Sequence, residues 1–337
     1  MKKLIALILA LALVLPLCAC GEKADSQTTR SKEMIIGTLS LLNMTEEEYL
    51  TLARGRFGAL TYLAEQGAFH SNNPDGYLPD SSADMKVVFF DTLDAMLMAL
   101  EAGDITSGEV PVCVAEYLCA HNDRLITRGS YDLSNADDHT KQIAYRLGVG
   151  YSFLLTEANY VLRDRIDQAL AEMKADGTLD ALVKTYITDA VNAEPQPVEF
   201  TRTDGETIRV AVTGSLPPMD YVSADGTPAG FNTAILAELS RRMNVNFELV
   251  QVDSVGRAAA LASGQVDLVF WTNGSHGDMK VGRKAAEEAQ ISEEQTDQVR
   301  SLGGGLSREQ RKNKDIPDAT ITTQPYFSDL LIPVTLK

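Results

Sequence analysis

The side chains best suited to chemistry in this 337-residue chain are few and dispersed. Four histidines, His70, His121, His139 and His276, show no spacing that would bring two of them onto one metal, so the sequence offers no metal centre. The run "GGGLSR" at 303–308 lacks the Lys-Ser/Thr pair of a phosphate loop and does not open a clear helix; no cofactor is implied. No nucleophile, base and orienting group fall into a recognisable pattern, which argues against an enzyme. Cys113 and Cys119 stand six apart at a predicted helix start, poor geometry for a disulfide, and are expected as buried free thiols. One local signature is clear: Thr45 with Glu48 three residues later is a capping box, which opens a helix.

The N-terminus has the layout of an export signal. Two lysines precede an apolar run from Leu4 to Leu17, which is short for a permanent bilayer span, and small residues follow. The stretch "LCAC" (Leu17–Cys20) resembles a bacterial lipoprotein box. Cys20 is the better acceptor of lipid, because Ala19 precedes it whereas bulky Leu17 precedes Cys18. The alternative is an ordinary secretory signal with incidental cysteines. Residues 1–20 are thus expected to be a lipoprotein signal peptide. Residues 21–33, polar and without periodicity, read as a flexible tether to a membrane that the protein meets through its lipid. A formal net charge of −17 argues against nucleic acid, which demands basic patches.

Beyond the tether, short aliphatic strands alternate with amphipathic helices. "MIIGTLSL", "MKVVFF", "VGYSFLLT", "IRVAVTG", "VNFELVQV", "VDLVFW" and the C-terminal "TTQPYFSDLLIPVTLK" read as strands. Helices are predicted after Thr45, from Asp91 or Thr92 to Gly103, through "CVAEYLCAHN", over "LRDRIDQALAEMKADG" and "TLDALVKTYI", and over "NTAILAELSRRMN". The alternation predicts an α/β fold with mostly parallel sheets. Residues 188–207, with two prolines and no periodicity, read as a linker, and 275–314 as a charged insertion.

Two stretches repeat one phrase. "MALEAGDITSGEV" (Met98–Val110) and "AALASGQVDLVFW" (Ala259–Trp271) align Leu100 with Leu261 and Gly103 with Gly264. Around the second copy stand Pro218-Met219, Asp225-Gly226, Gly230-Phe231-Asn232 and Leu261…Gly264…Asp267. This segment resembles the opening lobe of type II periplasmic binding proteins, more narrowly the family-3 solute-binding proteins of amino-acid ABC transporters. Residues 34–148 resemble the second lobe of that family, and 149–187 its closing strand and helices, so the order is exchanged, as in a circular permutant. Residues 208–337 would then be the first-lobe segment, interrupted by the insertion, with 188–207 joining the old ends. A truncated tandem pair or a swapped dimer is the rival arrangement.

The resemblance implies two lobes with a hinge, each with a mixed, mostly parallel sheet, closing over a small polar ligand, an amino acid by default, for delivery to an ABC permease outside the cytoplasmic membrane. It places ligand contacts at Thr213, Leu216 and Met219 in the first loop and at Trp271, Thr272 and Gly274 in the second. Tyr221 lies near the first loop. From the other lobe it points to Asn43 and Thr45 at the helix start and to Glu109. Trp271, the only tryptophan, could wall the cleft or sit in the core. Asp267 reads as a structural hydrogen-bonding residue. The chain departs from the family in three respects: the carboxylate-gripping arginine falls at Met279, with Arg283, Arg308 and Arg311 out of register; the ammonium-binding aspartate falls at Pro111, two residues after Glu109; and the family's first-loop aromatic residues are Leu216 and Met219 here. A ligand-binding sensor or adhesin on the same fold is the competing reading, and a dehydratase-like or transglycosylase-like enzyme a weaker one.

Overall fold

Ten strands hydrogen-bond into one mixed sheet that reads as two equivalent halves. The computed structural model describes residues 33–39, 45–73, 84–193, 197–223, 226–253, 256–274 and 317–337. The signal, Cys20, tether residues 21–32, Asn43 and the insertion 275–314, with Met279 and the three out-of-register arginines, lie outside them.

One half contains β1 (Met34–Leu39), β2 (Met85–Phe90) and β3 (Ser107–Pro111), with a short β4 (Leu125–Thr127) further along. The other contains β6 (Thr207–Val212), β7 (Asn246–Gln251) and β8 (Leu268–Gly274), with β9 (Thr320–Thr322). In each half the second strand pairs parallel with the first, and the first with the third: β2-β1-β3 and β7-β6-β8. An antiparallel strand then joins each triplet. It is β5 (Gly148–Thr156) against β8 and β10 (Phe327–Leu336) against β3.

Each antiparallel strand comes from chain that has just left the opposite half. β5 follows β1–β4 yet completes the β6–β8 triplet, and β10 follows β6–β9 yet completes the β1–β3 triplet. The two strands also pair with each other, Phe327 opposite Tyr151 through Leu330 opposite Gly148, and that pairing makes the sheet continuous. The result is a two-lobed α/β fold whose hinge is a pair of crossing strands.

The helices follow from local sequence. α1 (Glu46–Glu65) opens on the expected capping box: the Glu48 amide donates to Thr45 Oγ1 at 3.3 Å and the Thr45 amide to Glu48 Oε2 at 3.0 Å. α2 (Leu93–Ala102) is capped by Thr92 and ends on Gly103 at φ 80°, a left-handed conformation that suits glycine. α3 (Val112–His121) starts at Pro111, whose side chain cannot cap. Asp329 of β10 supplies the acceptor instead, 2.7 Å from the Cys113 amide. α4 (Asp138–Arg146), in a stretch too polar to be read as an element, starts where the Thr140 amide donates to Asp137 Oδ1. α5 (Tyr160–Ala175) and α6 (Thr178–Val183) pack on α7 (Phe231–Met243), and α8 (Arg257–Ala262) covers the other face of the β6–β8 half.

Arg242 of α7 fastens this docking. Its guanidinium donates to Asp176 Oδ2 at 2.7 Å, Thr178 Oγ1 at 2.9 Å and Glu238 Oε1 at 2.6 Å. Hydrogen bonds from Thr178 and Arg242 lower the Asp176 carboxyl to about 2. A depressed carboxyl favours the fold above its unfolded value near 4 and loses that contribution as pH falls through the folded value. In Arg242→Met, the Asp176 titration followed by carboxyl NMR should move up toward the ordinary aspartate range. The acid side of the stability profile should flatten between about pH 4 and 2.

Candidate functional site

The C-terminal ends of β6 and β8 face those of β1 and β3 across the crossing strands, the place where open α/β sheets gather ligands. On the β6 side, the loop from Thr213 to Asp220 leads into a small hairpin of Ser215–Leu216, Asp220–Val222 and Pro228–Ala229. Asp220, buried, organises that loop. Its Oδ2 accepts from the Thr213 amide at 3.2 Å, Thr213 Oγ1 at 2.9 Å and the Gly214 amide at 3.0 Å. Its Oδ1 takes Asn232 Nδ2 at 3.4 Å, and Asn232 Oδ1 accepts from the Tyr326 hydroxyl at 2.8 Å. An amide at position 232 can donate to one neighbour and accept from the other, whereas a second carboxylate there would face Asp220 with like charge. Burial raises the Asp220 carboxyl, and the Gly214, Thr213 and Asn232 hydrogen bonds and the Arg257 charge pull against it.

Gly230 holds α7 against this loop. It sits at φ 100°, and a Cβ there would lie 2.5 Å from the Met219 carbonyl oxygen. Without one, the Phe231 and Asn232 amides reach the Pro218 and Met219 carbonyls at 2.9 and 2.8 Å. This close approach is why the sequence needs glycine before Phe231-Asn232.

The residues singled out from the sequence divide into three groups. Thr213 is bound to Asp220, and Thr272 is half-buried on β8 opposite Tyr151; Gly274 ends that strand opposite Val149. Leu216, Met219 and Tyr221 turn toward the other lobe. Met219 is fully buried with its Sδ 3.7 Å from Cys113 Sγ, the Tyr221 ring lies 6.2 Å from that of Tyr117, and Ser215–Leu216 packs on α2. Trp271 packs in the smaller core under α8 with Leu154, Ala211 and Leu261. The Arg257 guanidinium lies 5.5 Å from its ring centroid and donates to the Phe270 carbonyl at 2.9 Å, so Trp271 is buried with one face covered.

In the other lobe, Thr45 caps α1 from an exposed position. Glu109 points beneath α1, where Arg56 forms an ion pair with it and the Tyr49 hydroxyl donates to it. Burial first, and then the Glu109 charge, push the Tyr49 hydroxyl well above its usual range. Glu109 is therefore already partnered from within its own lobe. Asp267 is held by Arg209, with Nε 3.0 Å from Oδ2 and Nη2 2.8 Å from Oδ1.

Sequence reasoning missed Asp220, Asn232, Arg257 and the Arg56–Glu109 pair. A hydrophilic residue between "PPM" and "YV" in a buried loop was the available signal for Asp220. Arg56 carried none, because one arginine on a helix is usually solvated. A groove of about 180 Å³ lies between the hairpin and β7, lined by Val212, Gly214, Asp220, Tyr221, Val222, Pro228, Thr233, Leu249 and Gln251. This is smaller than the roughly 300–1,000 Å³ of ordinary small-molecule sites. Among the described residues, no group of three or more His, Cys, Asp or Glu could hold a metal, and no helix is long and apolar enough to cross a membrane.

Removal of the Asp220 carboxylate strands buried donors. Asp220→Ala should lower stability by about 1–3 kcal/mol, measured by urea denaturation at neutral pH. Gly230→Ala should be at least as damaging by the same measurement, because both φ and the Met219 carbonyl oppose a side chain.

Comparison with known proteins places part of this chain. Residues 208–274 match the model of the bacterial extracellular solute-binding proteins, family 3. No curated protein matches the sequence. Among solved structures, NikA from Staphylococcus aureus in complex with Ni(L-His)2 is 11% identical with a TM-score of 0.35; the match covers 75% of this chain and 57% of that one. DppA from Helicobacter pylori, a periplasmic binding protein in complex with the peptide STSA, is 10% identical with a TM-score of 0.34, covering 80% and 56%. The aliphatic sulphonate binding protein SsuA from Escherichia coli is 12% identical with a TM-score of 0.29, covering 86% and 85%. This chain thus spans little more than half the length of the first two. The family-3 match thus falls on residues 208–274, from β6 to the end of β8, within a two-lobed α/β fold.

Proposed function

We propose that this protein is a lipid-anchored, extracytoplasmic solute-binding protein of an ABC importer, which captures a small polar solute between its lobes and passes it to the permease. The observation that carries the reading is the family-3 match over 208–274, lying where the strand ends of the two lobes meet. A hinge of two crossing strands suits a protein that closes over its ligand. Thr213, Leu216, Met219, Tyr221, Thr272 and Gly274 from one lobe, and Asn43 and Thr45 from the other, are the contacts this reading offers.

The order of the segments is that of a circular permutation. The equivalence of the triplets β2-β1-β3 and β7-β6-β8, each completed by a strand from the other's chain, supports an intramolecular permutant over a truncated tandem pair. An amino acid is the default solute, and the chemistry around Glu109 bears on it: a carboxylate already paired with Arg56 has less to give an incoming ammonium.

Calorimetric titration against the proteinogenic amino acids should give saturable heat for at least one of them; silence across the panel rejects the amino-acid version. Full-length protein expressed in a bacterium should partition into detergent phase and carry a lipid mass on its N-terminal cysteine. Cys20→Ala should abolish both, and unchanged partitioning would refute the anchor.

A further inference from the structure

Three of the residues offered to a solute, Leu216, Met219 and Tyr221, touch the opposite lobe. Cys113 and Tyr117 lie one turn apart on one face of α3, and Met219 and Tyr221 lie two residues apart where the loop enters the hairpin. They meet in register, Met219 Sδ at 3.7 Å from Cys113 Sγ and the Tyr221 ring tilted 48° against Tyr117. Beside them Ser215–Leu216 packs on α2, and α3 packs on the turn Asp189–Asn192 that ends the closing helices. Met219 has no exposed surface and Cys113 is 3% exposed, so the centre of the contact is dry.

From this register we infer that Met219 and Tyr221, with Cys113 and Tyr117, form an internal latch that holds the lobes closed without solute, and that a solute must displace it to enter. The inference rests on the contacts between lobes and not on the identity of any solute; the latch would operate equally in a sensor. α3 is well placed to be the keeper of such a latch. Asp329 on the crossing strand caps its first turn through the Cys113 amide, so the helix that holds Met219 is anchored to the hinge itself. Thiol–thioether and aromatic contacts are adaptable and carry no charge, and they can part without leaving an unpaired ion behind.

The thiol at the centre is the reporter. Burial and the neighbouring Asp329 push the Cys113 thiol up, so it reacts slowly while the latch is shut. Iodoacetamide labelling of the full-length protein, read at each cysteine by peptide mass spectrometry, measures how often the latch opens. Tyr221→Ala and Tyr117→Ala each remove the aromatic contact without touching Cys113's thioether partner. Both should speed Cys113 labelling roughly three- to tenfold, the ratio expected from losing one aromatic pair. They should leave Cys119 labelling unchanged and increase the solute-free radius of gyration in X-ray scattering, and Tyr221→Phe, which keeps the ring and loses only the hydrogen bond between the Tyr221 and Tyr117 side chains, should restore most of both. Labelling and radius equal to wild type in the alanine variants would overturn the latch. So would parallel acceleration at Cys113 and Cys119 without expansion, because that describes loosening of the helix and not opening between lobes.

Discussion

Everything in this molecule depends on the antiparallel pairing of β5 with β10. These two are the only described strands that belong to one half by sequence and to the other by pairing, and their four-residue contact turns two three-stranded parallel layers into one sheet. The pairing needs close approach: a Cβ at Gly148 would lie 2.4 Å from the Asp329 carbonyl oxygen, so no larger residue fits there without a shift. The same strand that closes the sheet carries Asp329 to the start of α3, where Pro111 has left the helix without a cap of its own. Sheet continuity, the hinge and the position of the facing helix are thus set by one stretch of chain.

A second level of organisation is the polar chain from Thr213 and Gly214 through Asp220 and Asn232 to Tyr326. It couples the first loop to the base of the crossing strand, since Tyr326 directly precedes β10 and its ring packs on Phe153 of β5 at 5.0 Å. A buried carboxylate held by neutral donors is expensive unless each of them stays in place, so the loop is stiff where it leaves β6. Charge is handled differently in the two lobes. Glu109 is compensated internally by Arg56, whereas Asp220 relies on amides and a hydroxyl, with Arg257 contributing at longer range. Neither lobe therefore presents these carboxylates bare.

Much of the fold was legible before any coordinates. Thr45 with Glu48, Thr92 with Gly103, and the alternating aliphatic strands are local signals, because caps, left-handed glycines and two-residue periodicity act within a few residues of chain. α4 escaped because its surface is polar: among its described side chains only Ile143, Ala144 and the polar Thr140 bury fully. The site was less legible. The position of Trp271 at a strand end allowed either face of the sheet, and α8 with Arg257 decided for the core. Glu109 lies on β3, but its partner is 53 positions away on a helix, and no periodicity links the two.

The sequence by itself determined the elements, their α/β alternation, the repeated helix–glycine–strand phrase and the segment that matches a solute-binding family, since each is written in residues near one another along the chain. Only the tertiary structure decided which strands cross between the halves, that Glu109 is spent on Arg56, and that Met219 and Tyr221 meet α3. Those outcomes join residues dozens to hundreds apart. They follow from the packing of two lobes against each other, a constraint that exists only once both have formed.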